Sequence, residues 1–129
     1  MQGTIFIAAP PGTIWPLTLD GVEQQLRQRF PDVAIYRRHA SVSGVDYLDF
    51  QVTVDEMARI SSYFDDGKLV LNDGSSADWA DTIVWFLGLL PLGTPAVAML
   101  EENPDEVVPV SSGASAAAIE ALLDGLAAT

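Results

Sequence analysis

The chain has 129 residues, of which 49% are hydrophobic, and it contains no cysteine. A chain of this length corresponds to one domain and buries about two-thirds of its surface on folding, so we expect a single domain over residues 1–129. The lack of cysteine excludes disulfide bonds, thiolate zinc sites and cysteine nucleophiles.

Acidic residues dominate, with 18 Asp and Glu against six Lys and Arg, for a formal net charge of −12. Residues 1–39 hold three acidic and four basic residues, whereas residues 40–129 hold fifteen acidic and two basic residues. A field of this sign repels nucleic acid and anionic membranes and attracts basic proteins. We therefore expect a basic protein partner and neither nucleic acid nor membrane.

The first segments predict a strand and a helix. Residues 4–9 form an apolar run ending at Pro10-Pro11-Gly12, which is typical of a strand. This run is too short for a secretion signal and no basic residue precedes it, so we expect a cytoplasmic protein. The next segment predicts a helix in which Asp20 is the N-cap, Glu23 completes a capping box and Pro31 follows the end.

Strands are predicted over residues 32–38 and 45–54. In the second of these, apolar and polar residues alternate, which predicts a sheet with one buried and one wet face. The buried side would consist of Leu48, Phe50, Val52 and Val54, and the wet side of Tyr47, Asp49, Gln51 and Thr53.

The middle of the chain predicts a hairpin. Asp66-Gly67 is a strong turn signal and indicates strands over 57–64 and 68–72. The segment 55–64 also fits a short helix, but its content of strand-forming residues favours a strand. Ser76 is predicted to cap a helix over 77–90.

The C-terminal part predicts two more strands and a helix. The strands cover residues 96–100 and 107–110, with an acidic loop over 101–106 between them. Pro109 either places the second strand at a sheet edge or makes it very short. The final helix follows "SSGAS" and has one apolar face, made of Ile119, Leu122, Leu123 and Leu126.

The order β-α-β-β-β-β-α-β-β-α therefore predicts an α+β fold. We expect a mostly antiparallel sheet of six or seven strands with two to three helices packed on one face.

The uncharged stretch from Ile83 to Leu100 raises the question of a membrane span. As one helix it would measure about 27 Å, nearly enough to cross a bilayer. However, Pro91, Gly93 and Pro95 interrupt it, and acidic residues flank it on both sides. The stretch is better explained as the end of a buried helix followed by a buried strand.

On the predicted helix, Trp85 and Leu89 lie on the same side as the polar residues Asp78, Asp81 and Thr82, although their own side chains are apolar. A helix that is apolar all round is either buried all round or in contact with a partner. One interpretation is that the last helix, or the loop containing Trp15, covers these two residues. The other is that they form an oligomer contact.

The sequence offers no catalytic constellation and predicts no cofactor. His39 lies near Asp32, Ser41 and Ser43, but nothing in their spacing demands a catalytic triad. The aspartates between residues 65 and 81 do not match a calcium-binding loop and are explained as turn and cap residues. No phosphate-binding or nucleophile-elbow motif is present, so we predict neither catalytic nor metal-binding residues.

Three hypotheses about function remain. The first is a non-enzymatic acidic protein-binding module, most concretely an inhibitor or immunity protein that neutralises a basic partner such as a bacterial toxin. The second is a homo-oligomeric structural domain, and the third a carboxylate-dependent hydrolase. For the first hypothesis, the predicted partner-binding residues are Tyr47, Asp49, Asp65, Asp66, Glu101, Glu102 and Asp105. For the second, the predicted contact in a homodimer consists of Trp85 and Leu89.

Overall fold

The computed structural model describes residues 3–54 and 56–128, which form seven strands and three helices. The strands are β1 (Gly3–Ala8), β2 (Ala34–Ala40), β3 (Val45–Val54), β4 (Met57–Phe64), β5 (Lys68–Gly74), β6 (Ala96–Leu100) and β7 (Asn103–Val110). The helices are α1 (Leu19–Arg29), α2 (Ser76–Leu87) and α3 (Ala116–Ala127). The predicted fold class and order of elements are confirmed.

All seven strands belong to one sheet with the order β2-β3-β4-β5-β1-β6-β7, and every neighbouring pair is antiparallel. The strands from β2 to β5 follow one another as a meander, and β6 and β7 form a hairpin. The first strand lies between these two units, so the N-terminal segment joins them into one sheet.

The three helices pack on one face of the sheet. In β3 the side chains of Leu48, Phe50 and Val52 are buried towards the helices, whereas Gln51 and Thr53 are exposed, as the alternation predicted. The hydrophobic core lies between the sheet and the helices, to which each helix contributes buried apolar side chains. The opposite face carries no helix among the described residues.

The β7 strand forms one edge of the sheet, as Pro109 predicted. The Glu101 N–H donates to the Thr4 carbonyl oxygen of β1 at 3.0 Å. Because amides alternate along a strand, those of Met99 and Val97 also point towards β1, and the amides between them point towards β7. Pro109 is paired with Val97, one of the positions whose amide faces β1. The nitrogen of Pro109 therefore points out of the sheet edge, where a missing donor breaks no ladder bond.

Two predicted helix caps are wrong by one or two residues. The N-cap of α1 is Thr18, whose hydroxyl accepts from the Gly21 N–H at 3.0 Å, and Asp20 lies inside the first turn. The earlier start places the side chain of Leu19 in the core. The N-cap of α2 is Ser75 instead of Ser76, because Asp78 stands three residues after Ser75 and completes a capping box.

The predicted acidic loop over residues 101–106 is also wrong. Only Glu101 and Glu102 form a turn, and Asn103–Val110 is one strand, so Asp105 lies in β7. The choice of a strand at 55–64 is confirmed for β4, because Arg59, Ser61 and Tyr63 are buried at alternate positions.

The uncharged stretch 83–100 consists of two separate buried elements, as predicted. The α2 helix ends at Leu87, a turn containing Pro91 and Gly93 follows, and β6 begins at Ala96. Within the part of the chain that the structure describes, none of the helices combines the length and apolar character needed to cross a membrane.

Candidate functional site

The seven predicted partner-binding residues lie at three separate places. Tyr47 and Asp49 are on the sheet face opposite the helices. Asp65 and Asp66 form the exposed turn between β4 and β5. The third group, Glu101, Glu102 and Asp105, lies at the β6–β7 hairpin. Because β5 and β6 both run antiparallel to β1, the start of β5 and the end of β6 are at opposite ends of the sheet.

The Asp49 carboxylate already has two partners within the chain. Its Oδ2 atom lies 2.7 Å from the Arg38 Nε atom, and its Oδ1 atom accepts from the Ser62 hydroxyl at 2.6 Å. The Tyr47 ring stacks on the Phe64 ring with their centroids 4.5 Å apart. This part of the face is therefore well ordered and close to neutral.

The basic residues are confined to one side of the molecule. All six precede residue 69, on α1, β2, β4 and β5. Arg37 pairs with Asp20 and Glu23, and the hydrogen bond that its guanidinium donates to the Asp20 carboxylate raises the pKa of Arg37. The other ion pairs of arginine in the described chain are Arg27–Glu23, Arg38–Asp49 and Arg59–Asp78.

The other side of the molecule has an uncompensated negative charge. Residues 69–129 contain nine acidic residues and no Lys, Arg or His. Five of these acidic residues are exposed on the β6–β7 turn, on β7 and on α3, have no ion pair among the described residues, and form what we call the acidic corner. It consists of Glu101, Glu102, Asp105, Glu106 and Asp124.

A small cavity of about 100 Å³ opens in the acidic corner. Its lining includes Glu102, Asp124, Ser76 and Gly3, and the Ser76 hydroxyl donates to the Asp124 carboxylate. Glu106 and Asp124 were not predicted as site residues. The signal that could have found them is the complete lack of basic residues after Lys68.

Sequence reasoning also missed a buried ion pair. The Arg59 side chain is 3% exposed, and its guanidinium lies 3.4 Å from the Asp78 Oδ2 atom. Asp78 in turn accepts from the Ser75 N–H at 2.9 Å, and this backbone hydrogen bond, with further contributions from the Ser75 side chain and Arg59, lowers the pKa of the Asp78 carboxyl. The pair joins β4 to the start of α2, which is a structural role.

The titratable groups within residues 3–54 and 56–128 lie mostly at the surface. None of the carboxylates there is buried, and no three potential ligands among His, Cys, Asp and Glu form a metal cluster. The exposed His39 pairs through Nδ1 with Asp46 Oδ1 at 2.7 Å, on the neighbouring strand. Burial raises the pKa of the Tyr63 hydroxyl, which donates to the Leu17 carbonyl oxygen at 2.9 Å.

Trp85 and Leu89 are half-buried and pack against the core. The Trp85 ring meets the Phe30 ring edge to face at 5.8 Å, and the Arg29 guanidinium carbon is 5.8 Å from the Trp85 ring centroid. The end of α1 thus covers Trp85, whereas Trp15 packs against Phe86 instead. The predicted oligomer contact at Trp85 and Leu89 stays a prediction.

Comparison with protein-family models, with curated proteins and with solved structures finds no match to this chain.

Proposed function

We propose that this protein is a non-enzymatic binding module that binds a basic protein through the acidic corner. The observation that carries this proposal is the separation of charge. The basic residues lie on α1, β2, β4 and β5, whereas the residues of the acidic corner face solvent and have no basic side chain as an ion-pair partner among the described residues. An unpaired charge at the surface is free to form an ion pair with a partner, and a patch of one sign steers association.

The cavity beside Glu102 and Asp124 supports a specific mode of contact. A volume of about 100 Å³ is suited to one side chain, and carboxylates favour the planar guanidinium of arginine. We propose that an arginine or lysine of the partner enters this cavity while Glu101 and Asp105 contact basic residues around it. The most concrete form of this function is an inhibitor that neutralises a basic toxin in a bacterial cytoplasm.

The test uses the purified full chain and the basic proteins encoded by genes adjacent to its own, with binding measured by isothermal titration calorimetry. We expect one of them to bind, and the complex to weaken as salt is added because exposed ion pairs are screened. Binding to none of the neighbour-encoded proteins contradicts the proposal.

A matched pair of charge reversals locates the binding surface. The double substitution Glu101→Lys and Glu102→Lys should weaken the complex about tenfold or more, because exposed ion pairs of up to about 1 kcal/mol each become repulsive contacts. The control, Asp65→Lys and Asp66→Lys, makes the same change in net charge at the opposite end of the sheet. An equal loss of affinity in both variants would show that net charge, and not the acidic corner, controls binding.

A further inference from the structure

The sheet face opposite the helices carries apolar side chains on β1 and on β3 to β6, and we call this surface the open face. Its side chains are those that alternate with the buried positions of β1 to β6. Its apolar side chains include those of Phe6, Tyr47, Ile60, Phe64, Val70 and Met99.

The register of the strands groups these apolar side chains into two neighbouring clusters. Phe6 in β1 is paired with Val70 in β5 on one side and with Met99 in β6 on the other. Tyr47 in β3 is paired with Phe64 in β4, and their rings stack. The two clusters meet only diagonally at β4 and β5, where Phe64 is paired with Lys68 and Val70 with Ser62. Apolar patches of this kind mark interaction sites on soluble proteins.

The open face is also nearly neutral, unlike the rest of the protein. Along β1 to β6 its charged residues are Arg38, Asp49 and Lys68, of which Arg38 and Asp49 form an ion pair and Lys68 lies over the Phe64 ring at 4.5 Å. A basic partner would gain no electrostatic attraction here. A second copy of the chain, in contrast, could cover the open face while the acidic residues of both copies stay outside the contact.

The size of the open face fits a contact between two copies. The six strands β1 to β6, about 4.8 Å apart and about 20 Å long, present about 600 Å² of sheet surface, or about 1,200 Å² for two copies. This area is at the lower end of the range for stable protein interfaces, which begins at about 1,200 Å². Two sheets that pack face to face with interleaved side chains form a standard layer of protein structure.

We propose that the open face is a self-association surface, on which two copies pack sheet against sheet about a two-fold axis. This surface lies on the other side of the sheet from α1, α2 and α3, so the contact is distinct from one through Trp85 and Leu89. The acidic corner, at the β6–β7 hairpin, is not part of it and stays available to a partner.

Sedimentation equilibrium of the full chain tests the proposal with two pairs of variants. Ile60→Lys and Met99→Lys place a cation on the open face, and because Ile60 is 52% exposed, its replacement leaves the core intact. Val42→Lys and Leu92→Lys make the same change at fully exposed aliphatic residues in loops. We expect the wild type and the loop variants to dimerise, and the dissociation constant of the dimer to rise at least tenfold in the open-face variants.

Two results would overturn the proposal: a monomeric wild type at the highest concentration reached, or equal dimerisation of all four variants. Lysine reduces the net negative charge, so weaker dimerisation of the open-face variants cannot be ascribed to greater repulsion. Circular dichroism spectra confirm that each variant is folded.

The salt dependence distinguishes this proposal from the proposed function. The dimer should tighten with added salt because the repulsion between two acidic copies is screened, whereas the complex with a basic partner should weaken. The double substitution at Glu101 and Glu102 should leave the dimer intact, so either proposal can fail while the other stands.

Discussion

Replacement of Asp78 with alanine should destabilise the protein more than replacement of any residue of the acidic corner. The substitution removes the capping box at the start of α2, where Asp78 accepts from the Ser75 N–H at 2.9 Å. It also leaves the guanidinium of Arg59, a side chain that is 3% exposed, without its carboxylate. The nearest remaining acceptor for Arg59 is the Val54 carbonyl oxygen, at 3.4 Å from Nε.

The magnitude follows from these two losses. A lost capping interaction costs about 1 kcal/mol. Removal of one partner from a fully buried ion pair costs about 3–5 kcal/mol. Because the Asp78 side chain is 15% exposed and its guanidinium contact is long at 3.4 Å, water can replace part of that interaction, and we take about 2 kcal/mol for it. The expected total is about 3 kcal/mol, which corresponds to a fall in Tm of roughly 10 °C for a chain of this length.

Urea unfolding followed by circular dichroism measures this change through the denaturation midpoint and its slope. Asp81→Ala is the matched control, because Asp81 is exposed on the same helix, and its replacement should change the free energy of unfolding by less than about 0.5 kcal/mol. A loss below about 1 kcal/mol for Asp78→Ala, equal to the cap alone, would refute the argument that Arg59 depends on this carboxylate.

Two further predictions concern the same region. Gly74→Ala should destabilise the fold by about 1–3 kcal/mol, because a methyl group there would lie 2.2 Å from the Trp79 Nε1 atom. The Trp79 ring is fully buried and has little room to move. Thermal unfolding measures the effect, and an unchanged Tm would contradict this prediction. The lowered pKa of Asp78 means that its stabilising effect is present above the ordinary pKa of an aspartate in the unfolded chain, about 4, and is lost as the pH falls through the lower pKa of the folded state. The difference in urea midpoint between the wild type and Asp78→Asn should therefore shrink from pH 7 to pH 3, and a constant difference would show that protonation of Asp78 is not involved.

Local patterns made most of the fold predictable. The alternation in β3 identified the buried side of the sheet, and Asp66-Gly67 placed the β4–β5 hairpin at its observed position. Pro109 indicated an edge strand because proline cannot donate to a ladder. Each of these signals depends on residues close together in sequence.

The features that could not be predicted depend on contacts distant in sequence. The sequence contains no signal that β1 pairs with β5 and β6, because register between distant strands is set by packing of the whole sheet. The ion pair of Arg59 with Asp78 likewise joins residues from two elements. The only local sign of this ion pair is that Arg59 occupies one of the alternating buried positions of β4.

The candidate site could likewise be predicted from the sequence only in part. Composition alone indicated an acidic surface, and the exposed positions of Glu101, Glu102 and Asp105 agree with it. It could not show that Asp65 and Asp66 lie at the other end of the sheet, or that Asp49 is neutralised by Arg38. The net charge of a sequence predicts whether the surface is acidic or basic, whereas the fold determines which charged residues lie close together.

The two sheet edges have a consequence for how the protein resists polymerisation. Pro104 and Pro109 remove amide donors from β7, and the β2 edge presents Arg37, Arg38 and His39 to any incoming strand. Proline and charge at an edge both hinder the addition of a further strand, which is the first step of fibril growth. Both edges of this sheet are therefore poor sites for the addition of a further strand.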